Sequence, residues 1–183
     1  ALASDYLLSK KRSDLVINLS TSTIIEWIAD KYGVDVHRAS VGEINVSTKM
    51  LEIGSLCGGE GNGGVIIPES HPGRDSVVAI AMILALIAER GQSISEIVSG
   101  YPERFIYKTS LELRNDFLLD EKVLLDEFRP LKINRQDGLW FGFSDGFLHI
   151  RISNTEPILR IISESSSESR ALELAEKAKE LVG

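Results

Sequence analysis

The first half of this chain repeats one pattern: a short apolar run, a polar break, then a helical stretch closed by glycine. Leu15 to Leu19 (LVINL) has the apolar continuity of a strand covered on both faces. Ser20 to Thr23 supply hydroxyl N-cap candidates for a helix through Ile24, Ile25, Trp27 and Ile28, which Gly33 stops. Val34 to Ala39 reads as a second strand. Val41 to Ile53 reads as a helix with Ile44, Met50 and Leu51 on its apolar side and Gly54 as its stop. Leu56 to Gly59 leads into a glycine-rich stretch, and Val65 to Ile67 leaves it as another strand. Val77 to Ala88 (VVAIAMILALIA), capped by Asp75 or Ser76 and ended by Gly91, reads as a deeply buried helix too short to span a bilayer. Ser93 to Glu96 is a capping-box pattern for a shorter helix. Alternation of this kind implies a layered α/β domain with a mostly parallel sheet.

Around Ser99 to Arg104 (SGYPER) the pattern breaks, which places a first domain at 1–99, a linker at 100–104 and a second domain at 105–183. Phe105 to Leu113 is a longer, alternating strand, and an amphipathic helix is expected near Phe117 to Phe128. Asp137-Gly138 and Asp145-Gly146 are tight-turn signals, so Leu139 to Ile152 reads as a hairpin. Ile158 to Ser163 is one more strand, and Ser167 to Val182 a final helix with Leu174, Ala178 and Leu181 on one face. This is a smaller α+β domain, an antiparallel sheet with helices on one face.

With 183 residues and 43% of them hydrophobic, two domains of this size can each bury a core. Lys plus Arg is 20 against 27 for Asp plus Glu, a net charge of −7. Such a chain has no electrostatic footprint for nucleic acid or anionic lipid, so any anion site has to be local. The lone Cys57 excludes an internal disulfide framework, and few histidines argue against zinc. A cytoplasmic protein without nucleic-acid or membrane partners is expected. The opening ALASDYLLSKKRSDL lacks an initiator Met and the layout of a signal peptide, and is read as a cut from something longer.

Two constellations carry chemistry. Gly58 to Gly64 (GGEGNGG) matches a dinucleotide spacing through Gly59, Gly61 and Gly64, but VIIPESHPG follows where a helix is required, so the match is accidental. The residues leave two readings open: a strand-to-strand turn that uses glycine conformations, or a ligand loop in which Glu60 offers an acceptor to hydroxyls. Arg151 to Pro157 (RISNTEP) runs from a strand into a turn bearing Ser153, Asn154 and Thr155, with Arg160 beyond. Two hydroxyls, an amide, turn N–H groups and a guanidinium fork can converge on a tetrahedral oxyanion. The alternative is an Asn-Thr turn capped by its own side chains. Blander roles are assigned elsewhere: Arg74 and Asp75 to a helix N-terminus, and His71 to an exposed loop. His37 and His149 go to sheet surfaces, Cys57 to a buried apolar site, and Trp27 and Trp140 to packing.

In order along the chain, VGEINVSTKM (Val41 to Met50), GGEGNGG and RISNTEPILR (Arg151 to Arg160) resemble three segments of the α-D-phosphohexomutase superfamily. Its members are the phosphoglucomutases, phosphomannomutases and phosphoglucosamine mutases. The resemblance covers nearly the whole chain and implies the second half of such an enzyme, from inside the third domain through the fourth. It implies interconversion of hexose 6-phosphate and hexose 1-phosphate through a phosphoserine and a bisphosphorylated sugar. The serine and a Mg²⁺-binding aspartate loop belong to N-terminal domains missing from this sequence, and hexose 1,6-bisphosphate acts as activator. On that reading no catalytic or metal residue lies in this chain and the piece alone is inactive. Glu60 and Asn62 stand in the sugar-recognition loop, and Arg151, Ser153, Asn154 and Thr155 match the loop that clamps the non-reacting phosphate. Arg160 either supports that loop or touches the ligand. Asn62, Gly63 and Gly64 replace a frequent Ser-Gly-His, and Ser40 a frequent lysine, a form closer to the archaeal-type branch. A phosphomannomutase or phosphoglucomutase is the leading expectation, a phosphoglucosamine mutase the alternative, and a non-catalytic phosphosugar-binding regulatory module the rival from another class.

Overall fold

The computed structural model describes residues 1–113 and 119–183, which form two compact units, Ala1–Pro102 and Glu103–Gly183. In the first, the order is α1 (Leu2–Lys10), β1 (Leu15–Asn18), α2 (Ile24–Tyr32), β2 (Val36–Ala39), α3 (Glu43–Ile53) and β3 (Cys57–Gly59). Then follow β4 (Val65–Ile67), β5 (His71–Arg74), α4 (Ser76–Arg90) and α5 (Ile94–Ser99). The sheet runs β2-β1-β3-β4-β5. β1 is parallel to both its neighbours, whereas β3, β4 and β5 form an antiparallel meander. β5 is unexpected, because a His-Pro-Gly-Arg segment carries turn residues and becomes a strand only through pairing with β4.

β1 is buried throughout, and its alternating side chains feed two cores. Leu15 and Ile17 pack with Leu8, Ile25 and Ile28, while Val16 packs with Val46, Met50 and Ile66. Gly33, Gly54 and Gly91 end their helices in the left-handed conformation. Asp75 caps α4 by accepting from the Val77 and Val78 N–H groups, and Ser93 with Glu96 forms the capping box.

Two helix faces differ from expectation. On α3, Val46 and Met50 face the sheet, whereas Ile44 is 72% and Leu51 64% exposed. Seven residues apart, these two share the outer face. α4 is not deeply buried: Met82 and Leu86, one turn apart, are covered, and Val77, Ile80 and Leu84 are exposed. Apolarity around a whole helix does not say which arc the fold covers.

A charge lies inside this unit. Asp5 on α1 has no exposed side-chain surface and accepts from Lys31 Nζ, the Tyr32 hydroxyl, Arg90 Nη2 and the Tyr101 hydroxyl. Burial alone pushes its carboxyl up, but the bonds from Tyr32, Tyr101, Lys31 and Arg90 prevail and hold it at about 2. Burial and the same bond push Tyr32 up to about 12. One carboxylate thus joins α1, α2, α4 and the residues after α5.

The second unit contains β6 (Phe105–Glu112), α6 (Glu121–Phe128), β7 (Lys132–Asn134), β8 (Leu139–Gly142), β9 (Phe147–Ile152), β10 (Ile158–Ser165) and α7 (Glu168–Val182). The sheet order is β6-β10-β9-β8-β7, antiparallel at every pairing. Leu148 and Ile150 of β9 with Leu159 and Ile161 of β10 pack against Ala175 and Ala178 of α7 and Leu124 of α6. α6 starts at an Asp120 cap, and Phe117 lies outside the described residues. His149 is not on a sheet surface. It is fully buried beside Phe147 and Arg151 on the face of β9 opposite this core, with Nε2 2.7 Å from the Asp137 carbonyl. Among the described residues, no helix is long and apolar enough to cross a membrane.

Candidate functional site

The glycine-rich segment is the turn of the β3–β4 hairpin, at the carboxyl ends of the parallel strands, where ligands gather in open α/β sheets. The Glu60 N–H donates to the Gly64 carbonyl and closes the turn. The Glu60 carboxylate folds inward and only 6% of its side chain is exposed. Its Oε1 accepts from Asn18 Nδ2 at 3.0 Å and from the Gly42 N–H at 3.2 Å. Asn62 remains exposed and accepts from the Gly64 N–H through Oδ1. A cavity of about 350 Å³ opens beside the hairpin, with Ile17, Thr21, Ile24, Glu60 and Val65 in its wall.

Three residues that the sequence reading did not assign to this site complete it. Asn18, at the end of β1, holds Glu60 and also accepts from the Ser20 N–H and the Thr21 hydroxyl. Arg38 on β2 donates to the Leu19 and Thr21 carbonyls and pairs with Glu26, which braces the connection beneath the hairpin. Arg74 does not serve the helix N-terminus; Asp75 alone caps α4. The Arg74 backbone N–H and Nε donate to Glu43 Oε1 and Oε2 at 2.8 and 2.6 Å, and Nη1 lies 3.7 Å from Glu60 Oε2. Those bonds, backbone first, hold the Glu43 carboxyl below the usual carboxylate range. His71 is exposed and its Nδ1 accepts from the Gly73 N–H. Only the type of these residues is visible in sequence; their convergence depends on strand order.

In the second unit, Arg151 to Thr155 occupy the end of β9 and the turn into β10. Arg151 is buried, with Nε 2.9 Å from Asp137 Oδ2. Ser153 is buried and its N–H donates to the Ile158 carbonyl, while Asn154 and Thr155 are exposed. The Thr155 N–H points at Ser153 Oγ across 3.5 Å, long for a hydrogen bond. Arg160 pairs with Glu156 across the turn. A buried guanidinium under an exposed polar turn can hold an anion at the turn's N–H groups, Asp137 fixing the plane of the fork. Cys57 is buried, and burial pushes its thiol up, away from nucleophilic use. Among the described residues, no group of three or more His, Cys, Asp or Glu side chains is placed to hold a metal ion.

An α/β unit with an acidic glycine hairpin, followed by an antiparallel α+β unit with an Arg-x-Ser-Asn-Thr turn, defines the third and fourth domains of a phosphohexomutase. Residues 1–105 match phosphoglucomutase/phosphomannomutase, alpha/beta/alpha domain III, and residues 115–181 match the C-terminal domain of the same family. The chain belongs to the phosphoglucomutase/phosphomannomutase family. It is 35% identical over 179 residues to a phosphoglucomutase/phosphomannomutase of Thermococcus kodakarensis, covering 96% of this chain and 39% of that protein. It is 31% identical over 172 residues to a probable phosphoglucosamine mutase of Methanopyrus kandleri, covering 92% and 38%. The chain therefore spans well under half the length of these relatives. Among solved structures, a phosphoglucomutase/phosphomannomutase family protein from Burkholderia thailandensis aligns with a TM-score of 0.71 at 22% identity, over 96% of this chain and 39% of that one. The Aspergillus fumigatus N-acetylphosphoglucosamine mutase, in complex with GlcNAc-6P and magnesium, aligns with a TM-score of 0.71 at 16% identity, over 99% and 42%. These two share the fold.

Proposed function

We propose that residues 1–183 are the substrate-binding part of a mutase that moves phosphate between the 1- and 6-positions of a hexose or hexosamine. The observation that carries this reading is the inward-held Glu60 carboxylate in a hairpin of glycines, together with the buried Arg151 under the Ser153–Thr155 turn. Glu60 accepts from sugar hydroxyls, with Asn62 at the hairpin tip beside it. Arg151 and the N–H and side-chain groups of Ser153, Asn154 and Thr155 hold the phosphate that does not react. Binding energy collected away from the reacting atoms then orients the reacting end. The phosphoserine and a charge-neutralising Mg²⁺ come from segments outside residues 1–183, so this chain binds without turning over. The hexosamine option is supported by relatives that carry the phosphoglucosamine mutase name.

The test is an amide-shift titration of the chain with glucose 1,6-bisphosphate, run beside inorganic phosphate. The sugar bisphosphate is expected to shift Arg151 to Thr155 and also Gly59 to Gly64, and phosphate only the former. Equal shifts by both ligands, confined to the turn, would support a plain anion-binding module instead.

A further inference from the structure

Arg74 is placed by four constraints, all within the first unit. Its own N–H and its Nε bind the two oxygens of Glu43, so the side chain leaves β5 toward the start of α3. Its aliphatic stem crosses the hairpin directly above Gly64, where a Cβ would lie 2.3 Å from Arg74 Cδ and 2.9 Å from Cγ. Only glycine at position 64 admits this path. Gly73 admits the other half of the arrangement, since a Cβ there would lie 2.7 Å from Glu43 Oε1. The guanidinium ends with Nη1 3.7 Å from Glu60 Oε2, beyond direct hydrogen-bond range. Asn18 and Gly42 both donate to the other oxygen, Oε1. Nearly half of the Arg74 side chain is exposed.

We infer that Arg74 is a specificity-determining residue of the hairpin, which with Glu60 reads a pair of neighbouring hydroxyls on the sugar ring. Glu60 Oε2 accepts from one hydroxyl, and Arg74 Nη1 donates to the oxygen of the next. An acceptor and a donor held side by side, too far apart to bond each other fully, suit a vicinal diol, each of whose hydroxyls both donates and accepts. Glu43 keeps the guanidinium in place before the ligand arrives, so its ordering does not have to be supplied on binding. This inference rests on the function proposed above and adds to it the residue that distinguishes a diol from a deoxy ring.

The experiment compares affinities of the wild-type chain, Arg74→Gln and Arg74→Lys for three probes: glucose 1,6-bisphosphate, its monodeoxy analogues, and inorganic phosphate. The wild type is expected to favour the parent over at least one deoxy analogue by roughly tenfold, the scale of one hydrogen bond to a charged group. Arg74→Gln is expected to lose that preference by weakening the parent alone, with phosphate affinity unchanged. Arg74→Lys, which keeps the charge but not the fork, is expected to fall between. If both variants stay folded by thermal melt and keep the wild-type ratio of parent to deoxy affinity, Arg74 is structural and the inference fails, while the functional proposal stands. A folded wild type that binds phosphate but no better binds the sugar bisphosphate overturns both.

Discussion

Asn18 Nδ2 donates to Glu60 Oε1 across 3.0 Å, and the same side chain accepts from the Ser20 N–H and the Thr21 hydroxyl. One buried amide therefore fixes the end of β1, the start of the connection to α2 and the carboxylate of the hairpin. Asn18→Asp keeps the acceptor but replaces the donor with a like charge against Glu60. Two carboxylates so close repel, and Glu60 loses one of its two donors to Oε1. The variant is then less stable than wild type at pH 7, by about 2 kcal/mol. Melting curves of the two proteins check this; equal midpoints would show that the pair does not interact.

Gly61 packs its backbone on the β1–α2 connection: a Cβ there would lie 2.6 Å from the Ser20 carbonyl oxygen and 3.1 Å from Thr21 Cα. Both obstacles are backbone, so Gly61→Ala forces the hairpin away from its seat and costs about 1–3 kcal/mol. Gly100→Ala is the control. Its nearest contact is 3.4 Å and its φ is −82°, so its stability is expected within about 0.5 kcal/mol of wild type. Urea midpoints decide; equal midpoints for the two variants would mean the hairpin is not docked there.

Asp5 predicts a distinct acid limb. Its folded pKa of about 2 lies below the ordinary value of 3.8. The stability it confers is fully present above the unfolded value and is lost as pH falls through the folded one, a contribution of roughly 2 kcal/mol. Asp5→Asn removes this dependence and leaves Lys31, Arg90 and two tyrosine hydroxyls without their carboxylate, at a cost of about 3 kcal/mol near neutral pH. Between pH 5 and 2 the melting temperature of the wild type is expected to fall more steeply than that of the variant. Parallel curves would remove Asp5 as the cause.

Arg151 is too well integrated for Ala to be a clean probe of binding. Its ion pair with Asp137 is nearly buried on both sides, and breaking a pair so placed by removing the guanidinium costs about 3 kcal/mol. Arg151→Lys retains the charge without the fork. It is expected to fold and to bind inorganic phosphate roughly tenfold more weakly than wild type. Calorimetric titration measures this, and undiminished affinity would place the phosphate elsewhere.

Much of the framework is legible from neighbours in sequence. An apolar Leu15–Leu19 run, glycines at 33, 54 and 91, Asp75 before an apolar helix, and the Ser93–Glu96 box each act within one turn or one strand, so spacing alone reveals them. So do the Asp145-Gly146 turn and the alternation on β6. Glu60 and Arg151 stand out because each charge sits in a distinctive local setting, a run of glycines and a strand end.

What only the tertiary structure decided lies between distant segments. Asn18 meets Glu60 across 42 positions and Arg74 meets Glu43 across 31, so no local period reports either pairing. β5 exists because β4 offers it an edge, and His149 is interior because both faces of β9 are covered. The outward faces of α3 and α4 are likewise set by which arc the sheet and α1 occupy, not by how apolar the helix is. The chain thus writes its local elements and its chemical groups into adjacent residues. Which groups converge is fixed by strand order, since hydrogen-bonded pairing of remote strands is what brings those side chains within bonding distance.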